Sequence, residues 1–352
     1  MPCKLASTPH APADRCRVPR SAALAHAAGS IAVRLLAAVV VFAIPAPLAA
    51  QVPSMSAIEE AMSASPTIAA ANPPRSEIQR ALAAKNYERA ERLLADAIAR
   101  QPGSRELLMQ IAGVFMLDRK PLNAAIALKK AEALGPLDNQ SRLQLALAYI
   151  AMQRGDWARP ELQKLALAEP ANVVHTYWLA RLDYDDGQYA SAIARLKDVV
   201  ARAPELARAH DNLGLCYEAL HEPEAAIPHY REAVRLNRDA DANRSGWPAL
   251  NLAILLRSRG ELDEAERLVR EALTYDRGLA PAHYQLGALL EERGRLDDAV
   301  KALRQAAEAD SGYPAPYYAL SRIYRQQGRT ADAEAAMKTF RRLKDTSRER
   351  GR

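Results

Sequence analysis

The chain has 352 residues, of which 49% are hydrophobic, 26% charged and only 5% aromatic, so its core must be built largely from aliphatic and small side chains. Fifteen glycines and three cysteines argue against a glycine-rich phosphate-loop enzyme, a disulfide scaffold and a cysteine zinc cluster. The formal net charge is +6, and much of it sits at the N-terminus.

Residues 1–34 carry Lys4, Arg15, Arg17, Arg20 and Arg34 against Asp14 alone, and residues 35–44 form an apolar run. Pro45, Pro47 and the exit Leu48-Ala49-Ala50 follow. This order reads as a secretory signal peptide over residues 1–50, with cleavage after Ala50. The alternatives are an uncleaved N-terminal anchor, disfavoured because a bilayer span needs about 20 apolar residues, and an organellar transit peptide. The expected location is therefore export, periplasmic or secreted, with membrane contact only through an uncleaved N-terminal segment. Without residues 1–50 the 48 basic and 42 acidic residues fall to 43 and 41, a net charge of +2. Nucleic-acid binding then loses its compositional support. Residues 51–75 are rich in Ala, Ser and Pro and read as a flexible linker.

From there a single period runs along the chain. Alanine recurs at 90, 124, 158, 192 and 226, then after one longer step at 265, 299 and 333. Pro102, Pro136, Pro170 and Pro204 keep the same 34-residue interval, as do Gly260, Gly294 and Gly328. Each interval holds two apolar patterns of helical spacing joined by a short turn. In residues 207–237, His210, Leu213, Gly214 and Tyr217 fall at i, i+3, i+4 and i+7. Pro223 then suits a first helical position, and Ala226, Tyr230 and Ala233 line the second helix. Small residues such as Gly214, Gly287, Ala226 and Ala299 let the paired helices approach closely.

The motif His210-x-x-Leu213-Gly214-x-x-Tyr217 with Ala226-x-x-x-Tyr230 resembles the tetratricopeptide repeat. Tyr317-x-x-Leu320-Ser321-x-x-Tyr324 with Ala333, and His283-x-x-Leu286-Gly287-x-x-Leu290 with Ala299, resemble it nearly as well. The resemblance spans about eight units and implies an all-α, right-handed superhelical solenoid over residues 76–347, with 348–352 as a basic tail. Departures are expected in places. The first unit fits mainly through its second helix, and the third shifts its turn to Gly155 and Asp156. In the fourth, Asp183 replaces the usual tyrosine and should loosen packing, while extra residues near 241–245 lengthen one connection.

Chemistry is sparse. His175, His210, His221, His229 and His283 form no metal-ligand spacing. The run from Asp183 to Gly187 fails as a calcium loop, because Gln188 and Ala194 stand where glycine and glutamate are needed. Cys216 beside Tyr217 reads as a buried structural thiol. No enzyme activity, cofactor or metal is expected.

The resemblance further implies that the first helices line a concave groove. Their sixth positions read Gln110, Gln144, Trp178, Asn212, Asn251, Gln285 and Ala319. A primary amide both donates and accepts, so five of them can pair with the backbone of an extended peptide whatever its sequence. The row is similar to the asparagine ladder of O-linked N-acetylglucosamine transferases, although glutamine fills three rungs. Five bonds of about 1 kcal/mol supply ~5 kcal/mol, whereas micromolar binding needs ~8.2 kcal/mol. Apolar contacts from Tyr177, Tyr184, Trp247, Tyr284 and Tyr318 would supply the remainder, and Arg181, Arg257, Arg322 and Arg325 would select an acidic ligand. The expected function is protein or peptide binding. The rival is an assembly factor that self-associates or joins an envelope complex through the solenoid edges.

Overall fold

A computed structural model describes residues 75–240 and 244–350; the leader and the linker lie outside them apart from the last linker residue. The described residues form sixteen helices and no strand. They pair into eight units: α1 (Arg75–Ala83) with α2 (Tyr87–Arg100), α3 (Arg105–Leu117) with α4 (Pro121–Leu134), and α5 (Asn139–Ala151) with α6 (Gly155–Ala168). Next come α7 (Val173–Asp185) with α8 (Tyr189–Arg202), α9 (Ala207–Ala219) with α10 (Pro223–Asp239), and α11 (Trp247–Ser258) with α12 (Leu262–Tyr275). The last two are α13 (Ala280–Glu292) with α14 (Leu296–Ala309), and α15 (Pro314–Gln326) with α16 (Thr330–Arg350).

Local chemistry sets the helix ends. Asn86, Ser104, Asp138 and Asn172 each accept a hydrogen bond from a backbone N–H of the following first turn, satisfying donors that a helix leaves orphaned. Inside every unit the turn places one residue in the left-handed region at the same register: Lys85, Arg119, Gln153, Gly187, His221, Gly260, Gly294 and Gly328. In the fourth unit Gly187 N–H donates to Tyr184 O at 3.0 Å and Gln188 N–H to Asp183 O at 2.7 Å. This pair of bonds closes a helix end around a left-handed residue. The third unit keeps the same register through Gln153 (φ 59°), and Gly155 opens α6, so the expected shift of its turn does not occur.

The repeated alanines occupy the crossing of each helix pair. Ala90, Ala124, Ala158, Ala192, Ala226, Ala265 and Ala299 are completely buried. One turn on, Leu94, Leu128, Leu162, Leu196, Tyr230, Val269 and Leu303 fill the core at the equivalent position. A methyl group on Gly214 would stand 2.4 Å from the Tyr230 ring, and one on Gly287 would stand 2.6 Å from Leu303. Glycine is required at both positions by the closeness of the partner helix.

Asp183 departs from expectation. Its side chain is 1% exposed and accepts from Arg159 Nη1 at 2.5 Å, Ser191 Oγ at 2.7 Å and Arg195 Nε at 2.8 Å. Arg159 belongs to α6, so the acid clips unit four to unit three where packing was expected to loosen. Burial alone would raise its pKa, but these three donors hold it below the ordinary carboxylate range. The lengthened connection after α10 is also tied down. Asn237 donates to Ser245 O at 2.9 Å and accepts from Ser245 N–H at 2.8 Å.

Candidate functional site

Among the described residues, the alternate helices that pack most extensively on one another are first helices: α3 with α5, α7 with α9, α9 with α11, α11 with α13, and α13 with α15. A stack whose first helices meet across a unit, while its second helices splay, curves toward the first helices. Their outward stripe is therefore the inner, concave face, and it carries the amide row.

The row is not uniform. Gln110 and Gln144 are half-buried, and neither side chain hydrogen-bonds another described residue, so their amides face the groove uncommitted. Asn212 is buried and engaged at both ends. Its amide donates to Tyr177 Oη at 2.9 Å and to Arg208 O at 2.8 Å, and its oxygen accepts from Arg181 Nη1 at 2.5 Å. Asn251 donates to both carboxylate oxygens of Asp211, at 3.0 and 3.2 Å. Gln285 is buried and accepts from Arg257 Nη1 at 2.7 Å. Three rungs thus stitch neighbouring units together, and two stay open.

The aromatic residues divide in a similar way. Tyr177 is buried. Tyr184 is half-buried against Tyr189 and Arg181, and Trp247 packs on the core beneath it. Tyr284 meets Tyr313 edge-on with ring centres 5.6 Å apart. Tyr318 is 47% exposed and leans on Phe340.

The arginines are matched by acids. Arg257 donates to Glu292 Oε1 at 2.8 Å through Nε and 2.7 Å through Nη2. Arg322 pairs with Glu291 at 2.5 Å, and Arg181 lies 3.7 Å from Asp185. Among the described residues Arg325 reaches only the Ser321 carbonyl and hydroxyl, at 3.4 and 3.5 Å. The groove is consequently charge-balanced along most of its length. Asp211 and Arg208, which the sequence did not single out, stand at its centre. Burial raises the Asp211 pKa to about 6, against the lowering effects of the Asn251 amide, Arg181 and Arg208. Burial also pulls the Arg208 pKa down, and its Nη2 has no hydrogen-bond partner. The only available signal was register: both residues sit on α9 beside Asn212.

The other side chains weighed in the sequence are structural. Nε2 of His210 lies 3.1 Å from the Pro204 carbonyl, and Nε2 of His283 lies 2.9 Å from that of Arg277. Each ring ties its helix to the loop before it. Cys216 is fully buried, and burial pushes its thiol up to about 12, so it stays protonated. Among the described residues no cluster of histidine, cysteine or acidic side chains could hold a metal ion. None of their helices is long and apolar enough to cross a membrane.

Comparisons with known proteins follow the same lines. Residues 205–278, residues 290–348, and residues 76–139 with 250–314 match three family models, each described as a tetratricopeptide repeat. Among curated proteins the sequence finds no match. Among solved structures, a chain of the APC/C hetero-tetramer Cut9-Hcn1 is 15% identical, with a TM-score of 0.59 over 70% of this chain. Only 48% of that chain is matched, so the resemblance spans about half its length. Pseudomonas aeruginosa pilF is 20% identical, with 62% of this chain and 96% of that one covered and a TM-score of 0.50. PilW, described as a widely conserved type IV pilus biogenesis factor, is 17% identical over 56% of this chain and 90% of its own, also at 0.50. At these identities the likeness is one of fold. With the repeat register, the stack of paired helices and three matching models in agreement, the chain belongs to the tetratricopeptide repeat family.

Proposed function

We propose that this protein is an exported, non-catalytic scaffold that holds another protein, or an extended peptide segment of one, in its concave groove. The observation that carries the reading is the pair of uncommitted amides at Gln110 and Gln144, successive rungs of one face. A glutamine that spends neither its donor nor its acceptor within the protein can give both to a passing peptide backbone. Asn251 adds an acceptor oxygen with no hydrogen-bond partner among the described residues, and the exposed ring of Tyr318 supplies apolar surface further along. The balanced charge favours a ligand recognised by its backbone and apolar side chains over one selected by net charge. Export rests on the leader sequence, and the near-neutral remainder speaks against nucleic acid.

Panning a random peptide library on the full chain tests the groove. Peptides enriched on the wild type should bind Gln110→Ala/Gln144→Ala about thirtyfold more weakly, since two lost bonds amount to about 2 kcal/mol. The melting temperature should stay unchanged, because neither amide has a hydrogen-bond partner among the described residues. Equal binding by the wild type and the double variant would remove the groove from the account. Asn212→Ala is a poor probe, because it also breaks the contacts with Tyr177 and Arg181 that join two units.

A further inference from the structure

Away from the concave face, large apolar side chains lie exposed together. Leu122 is 54%, Ile126 47% and Trp157 45% exposed, and they border an open groove of about 410 Å³ between α4, the end of α5 and the start of α6. Tyr149 meets the Trp157 ring edge-on at 5.4 Å, and the Arg154 guanidinium stacks 3.5 Å above it. The indole is therefore held in place with part of its surface facing solvent. Among the described residues, the only charged ones lining the groove are Lys129 and Lys130. Lys129 pairs with Glu132, outside the lining, and Lys130 has no ion pair among the described residues. An apolar trough with a cationic rim calls for an apolar segment that carries acids.

The chain itself contains one. Met55, Ile58 and Met62 recur at i, i+3 and i+7, with Glu59 and Glu60 between them. These residues lie outside those the structure describes. The geometry points to residues 55–62 as the occupant of this groove, with Met55, Ile58 and Met62 against Leu122, Ile126 and Trp157, and Glu59 and Glu60 facing Lys129 and Lys130. The tether is long enough. Residues 63–74 reach about 40 Å when extended, and α4 stands three helices beyond α1, at most about 30 Å at ordinary helix spacing. The segment straps the N-terminal end of the stack and covers apolar surface that would otherwise invite association. The site is separate from the concave groove, so it stands or falls independently of the peptide-binding reading.

Hydroxyl-radical footprinting of Trp157 in the full chain tests the strap. Ile58→Asp should raise Trp157 oxidation several-fold, with far-UV circular dichroism unchanged. Glu59→Lys/Glu60→Lys should raise it too, as should Lys129→Glu/Lys130→Glu, while the four substitutions together should return it to the wild-type level. Unchanged oxidation in Ile58→Asp would overturn the proposal, as would failure of the combined swap to restore protection. Protection that disappears on dilution would also overturn it, since a second copy would then be the occupant. Far-UV circular dichroism, unchanged in every one of these variants, serves as the control for folding.

Discussion

Asp211 shows how one side chain takes its character from its surroundings. Its carboxyl is raised from an ordinary 3.8 to about 6 by burial, which outweighs the lowering effects of the Asn251 amide, Arg181 and Arg208; repulsion from Glu218 adds least. An acid whose pKa rises on folding binds protons more tightly folded than unfolded, so its cost to stability is fully present above about pH 6 and fades toward pH 4. Asp211→Asn should therefore raise the stability at pH 7 by about 1–2 kcal/mol, after discounting for its partial exposure. It should also flatten the dependence of the melting temperature on pH between 4 and 6. Calorimetry across that range checks both. Among the turn residues, Gly187, Gly260, Gly294 and Gly328 take the left-handed conformation without strain, whereas Lys85, Arg119, Gln153 and His221 take it at a cost. The cost persists because the same turn must be made in every unit.

Between helices, the decisive quantity is the distance of closest approach. Gly214 on α9 lies under Tyr230 of α10, and the ring blocks any Cβ. Gly214→Ala should therefore destabilise the protein by about 1–3 kcal/mol through overpacking, read as a lower urea midpoint with an unchanged slope. The 34-residue interval made this pairing legible, because only a small residue repeated at a fixed register satisfies a crossing repeated at a fixed distance. Asp183 was misread for the complementary reason. As an isolated acid at an aromatic position it suggested looser packing, but Arg159, 24 residues earlier, and Arg195, 12 residues later, converge on it in the folded chain.

At the scale of the whole stack, each unit leans mainly on its neighbours, so stability is close to a sum of units and junctions. The junction between the third and fourth units depends in part on the clip from Arg159 to Asp183 and Asp186. Asp183→Ala leaves Arg159 and Arg195 without that partner and should cost about 3 kcal/mol. Because the loss falls on one junction, calorimetry should show the single transition broadening or dividing as the two ends of the stack uncouple. The Asp183 pKa is depressed on folding, so the clip should also weaken as pH falls through its folded value.

The sequence by itself determined the paired-helix repeat, its register, the small residues at each crossing and the face on which the amides lie. These follow from spacing along the chain, and eight repetitions separate the pattern from chance. Which amides remain free to bind was decided only in three dimensions. Asn212 finds Arg181 across 31 positions and Tyr177 across 35, while Gln110 and Gln144 meet no such partner among the described residues. A hydrogen bond between neighbouring units depends on where each side chain arrives after the helices have packed, and no local spacing encodes that. The raised pKa of Asp211 has the same origin, since desolvation exists only once the surrounding helices have closed around the group.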